Sequence, residues 1–243
     1  MKDPILSVLP SVEELLNSLA NFLVDIANKT IREKGEFTFV LSGGNSPKKL
    51  YKLLASSAYR NKIDWTKVFF FFGDERYVPF DDPENNALMA KETLFDPLQI
   101  PKLNVFSINT SFLPEKSAQN YLDMLDLHFQ GKPMQFDLIL LGLGDNVHTA
   151  SLFPYTAVLS EEKALVKAVF INELNAYRIT FTAPLINKAN NIVFLVYGKD
   201  KAEAVKHVFG EVHDIEKYPA QLIHSNRGTV HWFLDEKAAF FLH

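Results

Sequence analysis

The chain has 243 residues, 47% hydrophobic and 22% charged, with 25 Lys and Arg against 29 Asp and Glu for a net charge of −4. This is ordinary globular composition, enough for one α/β domain over residues 1–243, and it carries no sign of the clustered basic face that nucleic acid requires. The absence of cysteine excludes disulfides, thiolate nucleophiles and Cys-ligated zinc, and fits a reducing compartment.

"MKDPILSVLP" has a short apolar piece between prolines, and lacks the roughly 7–15-residue apolar core of a signal peptide. No apolar run approaches the ~20 residues of a membrane span. A cytoplasmic protein without membrane attachment is expected. "SVEELLNSLANFLVDIANKTIREKG" predicts a helix: Ser11 and Glu14 have capping-box spacing, and Leu15, Leu19, Phe22, Leu23 and Ile26 share one face. "FTFVLSGG" predicts a buried strand, and "SPKKLYKLL" a helix with Ser46 as N-cap and Pro47 in its first position. "KVFFFFGDER" predicts one strand, its Phe69–Phe72 run buried on both faces.

Further along, "NNALMAKETLF" predicts a helix, "NVFSI" a short strand, "PEKSAQNYLDMLDLHF" a helix and "FDLILLGLG" a strand. Then come the strand "YRITFT", the helix-like "PLINKAN", the strand "NIVFLVYG" and the helix "DKAEAVKHVF". "TVHWFLDEKAAFFL" predicts a last strand and helix. The alternation implies an α/β fold: a doubly wound, mostly parallel sheet with helices on both faces.

Four strands end alike. "FVLSGG", "FFFFGDER", "LILLGLGDNVH" and "FLVYGKDK" each pass from apolar strand into glycine and then polar residues. Open α/β sheets bind ligands beyond the carboxyl ends of their strands. The junctions carry Ser42, Arg76, His148 and Lys201, and together point to one site. "SGGNSPKK" places Gly43 and Gly44 before a helix N-terminus, where free N–H groups attract anions. It is not a Walker A motif, and taken alone reads equally as a plain strand-to-helix turn. "GLGDNV" is not a dinucleotide fingerprint, because Val147 stands where the third glycine belongs. Arg76 suits a phosphate, with Asp74 and Glu75 orienting a cation or holding the loop; in isolation "GDER" reads as a surface salt-bridge cluster. Of seven histidines, His207 and His213 have the wrong spacing for a metal pair on one helical face, so no metal is expected.

These segments in this order resemble the 6-phosphogluconolactonase family, related in fold to the glucosamine-6-phosphate deaminases. "LSGGNSPKKLY" resembles its SGGSTP segment. "GDERYVPFDDPENNALMAKETLF" resembles its DER-x-VP segment followed by Ser-Asn, with Asn85-Asn86 at that pair. "LLGLGDNVHTASLFP" resembles its G-x-G-x-D-G-H-T-A-S-L-F-P segment. The resemblance runs from about residue 10 to the end, and "DERYVP" and "HTASLFP" are lactonase-like rather than deaminase-like.

It implies hydrolysis of 6-phospho-D-glucono-1,5-lactone to 6-phosphogluconate in the pentose phosphate pathway, without metal or organic cofactor. His148 would be the general base, and N–H groups near the Gly142–Gly144 turn would meet the oxyanion. Ser42, Gly43, Gly44, Arg76, Arg178 and Lys201 would hold the phosphate, with Asn86 lining the sugar pocket. The expected partner is a small sugar phosphate. The chain departs from the pattern beside His148, with Asn146-Val147 for Asp-Gly. Asn146 carries no charge but can hold the tautomer of His148. Val147 is disfavoured at positive φ, so a turn that needs that conformation would be rebuilt. Asp145 could supply the carboxylate after a one-residue shift. The alternatives are a catalytically weak sugar-phosphate-binding relative and an amino-sugar-phosphate deaminase or isomerase.

Overall fold

In the computed structural model, which describes residues 3–242, the chain forms two sheets. The elements run β1 (Ile5–Leu9), α1 (Val12–Lys34), β2 (Phe37–Leu41), α2 (Asn45–Leu54), β3 (Val68–Phe72), β4 (Asp74–Arg76), α3 (Asn86–Ala90) and α4 (Asp96–Leu98). They continue with α5 (Pro114–Phe129), β5 (Leu138–Leu141), β6 (Val166–Ile171), β7 (Ala176–Phe181), α6 (Ala183–Ile186), β8 (Asn191–Val196), α7 (Ala202–Phe209) and β9 (Thr229–Asp235). Six strands make a parallel sheet in the order β1-β9-β8-β5-β2-β3, while β4, β7 and β6 make a small antiparallel sheet. Among the described residues no helix is long and apolar enough to cross a membrane.

The phenylalanine run shows why both faces of the main sheet are covered. Successive strand side chains point to opposite faces. Phe71 packs on Phe106, His128, Phe129 and Phe136, so its face lies against α5. Phe70 packs on Phe39, Trp65 and Phe95 on the other face. A strand enclosed in this way reads as a continuous apolar run. The doubly wound arrangement expected above is therefore present, and its buried apolar residues form one continuous cluster.

Helix α1 starts where the capping spacing predicts: Ser11 Oγ accepts from the Glu14 N–H at 3.2 Å. It ends at Gly35, whose φ of 83° suits glycine and whose N–H donates to the Ile31 carbonyl. Leu15, Leu19 and Leu23 are buried, with Phe22 and Ile26 on the flank of that face.

Four local expectations are corrected. Helix α2 begins earlier than Ser46, with Gly44 as N-cap at φ 96° and no side-chain cap. The glycine turns the chain so sharply that its carbonyl already accepts from the Lys48 N–H. "KVFFFFGDER" is two strands, because Gly73 passes the chain between sheets: its N–H donates to Leu41 of β2, and its carbonyl accepts from Phe181 of β7. "NVFSI" amounts to one bridge, Val105 to Phe70, at the edge of β3. After β9 the tail makes hydrogen-bonded turns and no helix, as Asp235 accepts from Ala238 and Ala239 and ties the chain down at once.

Candidate active site

The strand order reverses direction between β2 and β5: β2 continues to β3 on one side, and β5 continues to β8 and β9 on the other. A crevice opens at such a point beyond the carboxyl ends of the strands. Here it is a cleft of about 680 Å³ lined from all four strand-end junctions. Ser42, Gly43, Gly44, Arg76, Asn86, His148, Arg178 and Lys201 all line it. Asn146 does not; it stands behind His148. Lys49, Lys201, Arg76 and Arg178 face the cleft against the carboxyls of Asp74 and Asp200, so a chain of net negative charge concentrates positive charge at one place.

His148 is held on several sides. Its ring stacks on Phe153 at 3.9 Å between centroids and 14° between planes. Gly144 lies against the ring so closely that a Cβ there would overlap it. The amide oxygen of Asn146 lies 2.5 Å from Nδ1. An amide oxygen only accepts, so Nδ1 carries the proton and Nε2 keeps its lone pair. Burial, reinforced by the charges of Lys201, Arg178 and Arg76 and opposed by Asp145, pushes the imidazole down to about 4.

In the turn before His148 the chain takes the disfavoured conformation rather than avoiding it. Val147 is at φ 64°, the left-handed region disfavoured for a β-branched residue. Its carbonyl accepts from Ala220, its N–H donates to Gly144 and its side chain is buried in the core. Those contacts over-determine the conformation. Ala150 and Tyr155, at φ 47° and 59°, add two further left-handed residues to the same loop. Asp145 supplies no carboxylate to His148: it is exposed and pairs with Lys201 at 2.5 Å. The Gly144 N–H, expected to meet an oxyanion, donates to the His148 carbonyl at 2.8 Å and is occupied.

Arg76 and Arg178 sit directly opposite each other across β4 and β7. Like charges in such a pair repel, and among the described residues neither makes an ion pair. Arg76 donates to the Glu84 carbonyl and Arg178 to that of Tyr177. Burial and the charge of Arg76 lower the affinity of Arg178 for its proton.

Asp74 and Glu75 are buried, not part of a surface cluster. Asp74 accepts from Ser151 Oγ at 2.7 Å, and burial raises its carboxyl. Glu75 accepts backbone N–H groups and holds the loop. Asn86 reaches the site because Gly43 has no Cβ; a methyl there would overlap its amide. Ser42 is fixed by Tyr51, whose hydroxyl accepts from the Ser42 N–H and donates to its carbonyl at 3.0 and 2.8 Å.

Lys49, Tyr197 and Ser151 also line the cleft but were not singled out from sequence. Lys49 lies 5.3 Å from the centre of the Tyr197 ring. Its signal was the spacing: from Ser46, one turn of α2 returns the chain to the same face at Lys49.

Residues 10–232 match the family model described as glucosamine-6-phosphate isomerases/6-phosphogluconolactonase. The chain belongs to this family. A 6-phosphogluconolactonase of Synechocystis is 41% identical over 239 residues, covering 94% of this chain and 97% of the relative. One from Nostoc is 37% identical, covering 95% of each. The solved 6-phosphogluconolactonase of Trypanosoma cruzi superposes with a TM-score of 0.86 at 28% identity, covering 99% of this family member and 97% of that chain.

Proposed function

We propose that the protein hydrolyses 6-phospho-D-glucono-1,5-lactone to 6-phosphogluconate, a step of the pentose phosphate pathway, and does so in the cytoplasm. One observation carries the reading: a histidine that presents Nε2 shares a cleft with two facing arginines that, among the described residues, make no ion pair. The names of the curated relatives favour this reading over a deaminase and over a relative that only binds.

Arg76, Arg178, Lys201 and the Ser42-Gly43-Gly44 turn hold the phosphate, and Lys201 exchanges Asp145 for it. Lys49 adds positive charge, and Asn86 meets the sugar. His148 Nε2 takes a proton from water as the oxygen attacks the lactone carbonyl carbon. The carbonyl π pair moves onto oxygen. When that pair returns, the bond to the ring oxygen breaks and the imidazolium gives its proton to the departing oxygen. The product is the open-chain acid, which ionises. Asn146 holds the imidazole through both transfers. A lactone is an activated ester, so one positioned base suffices.

Lactone hydrolysis, followed by acid release and corrected for the buffer rate, tests this. His148→Ala should lower kcat about 10²–10⁴-fold. Wild-type turnover no faster than buffer refutes the proposal.

A further inference from the structure

Glu75 does not line the cleft and is fully buried. Its Oε1 accepts from the backbone N–H groups of Asn86 at 2.7 Å and Arg76 at 2.8 Å, and its Oε2 from that of Ala87 at 3.0 Å. Among the described residues no cation pairs with it. Asn86 passes the constraint on: its Nδ2 donates to the Asp74 carbonyl at 3.0 Å, and its side-chain oxygen lies against Gly43. A single carboxylate thus fixes the backbone at Arg76 and at Asn86, and through Asn86 the turn at Gly43. These groups come from separate parts of the chain, and all three line the cleft.

We propose that Glu75 is a positioning residue: its buried carboxylate ties Arg76, Asn86 and the Gly43 turn into one rigid wall of the substrate cleft, and serves substrate binding rather than stability. The proposal rests on the reading of Arg76 and Asn86 as substrate contacts. A buried charge is costly even when hydrogen-bonded. Burial pushes this carboxyl up to about 7 despite three N–H donors, so the fold works against its ionisation. A neutral glutamine has nearly the same shape. Its amide oxygen can keep the Arg76 and Asn86 bonds, but its NH₂ would face the Ala87 N–H, donor against donor.

The test is steady-state kinetics on the phosphorylated lactone with Glu75→Gln, Glu75→Asp, Arg76→Ala, Asn86→Ala, the double variant R76A/N86A and the triple variant E75Q/R76A/N86A. Thermal melts and inhibition by inorganic phosphate accompany it. Glu75→Gln is expected to melt within a few degrees of wild type and to raise KM at least tenfold. kcat should stay within about threefold, and the phosphate inhibition constant should rise in parallel with KM. Added to R76A/N86A, it should change KM by less than threefold, because it acts through those residues. A folded Glu75→Gln with wild-type KM overturns the proposal, as does a full tenfold effect in the triple variant. Loss of folding in both Glu75→Gln and Glu75→Asp assigns the residue to stability and overturns it too. Unchanged KM in both Arg76→Ala and Asn86→Ala faults the site reading itself, and the proposal falls with it.

Discussion

In the proposed mechanism His148 is the base and Asn146 its holder, and no carboxylate takes part. The consequence is a pH range. The imidazole sits at about 4, so the base stays unprotonated well below neutrality. Asn146→Asp would put a negative charge beside Nδ1, which raises an imidazole by roughly 1–3 units. The acid limb of kcat/KM should move up by that amount; an unmoved limb would show that Asn146 does not act on the base. Val147 gives a second prediction. Its left-handed backbone costs roughly 1–2 kcal/mol, while its buried side chain contributes about 1.5–3 kcal/mol. Val147→Gly loses the burial but relieves the strain, whereas Val147→Ala loses most of the burial and keeps the strain. Denaturant unfolding should therefore rank alanine below glycine, contrary to the usual order of the two residues. The letters Asn146 and Val147 mark the anomaly in the sequence. What they do not reveal is that Ala220, 73 positions away, holds the turn in place, because long-range contacts leave no local signature.

At the scale of elements, two strands of the main sheet end on buried tyrosines. Tyr51 of α2 closes β2 at Ser42, and Tyr121 of α5 accepts from the Phe72 N–H and donates to its carbonyl at the end of β3. Each hydroxyl serves backbone groups at the end of a strand, and burial raises both phenols far out of the titrating range. Tyr121→Phe or Tyr51→Phe should cost about 1–3 kcal/mol in denaturant unfolding through unsatisfied buried groups. Tyr51→Phe should also raise KM, since Ser42 begins the turn at the cleft; equal KM values would place that turn under other control. The main strands are legible because enclosure on both faces demands continuous apolar runs. Strand β1 is not, because it is an edge whose Ile5, Leu6 and Val8 are exposed. Strand β6 is not, because "VKAVFI" carries exposed residues beside buried ones. The second sheet follows from Gly73, one residue whose role in joining two sheets is visible only in its hydrogen bonds.

At the scale of the molecule, the buried histidines and the buried Glu75 pull stability in opposite directions with pH. His148 is depressed from 6.5 to about 4, so its contribution is complete above 6.5 and is lost as pH falls toward 4. Burial lowers His128 and His231 in the same direction. Glu75 is raised from 4.5 to about 7, so stability from that group is complete below 4.5 and is lost as pH rises through 7. Urea unfolding across pH 4–8 should show Glu75→Gln with a steeper fall toward acid than wild type, and His148→Gln with a shallower one. The difference should be at most about 1.4 kcal/mol per pH unit in either case. Identical slopes would mean that neither group changes its proton affinity on folding.

The strand order carries one further consequence, for biosynthesis. In the sheet β1 has β9 as its neighbour. Strand β1, made early, therefore waits for β9, the last strand of the sheet in chain order, which must slot between β1 and β8. Until then the part of α1 that packs on β9 and the edge of β8 have no cover, and the sheet stays open in the nascent protein. A message truncated before β9 would leave β1 without a partner and one edge of β8 bare, and a half-made product that proteases can recognise.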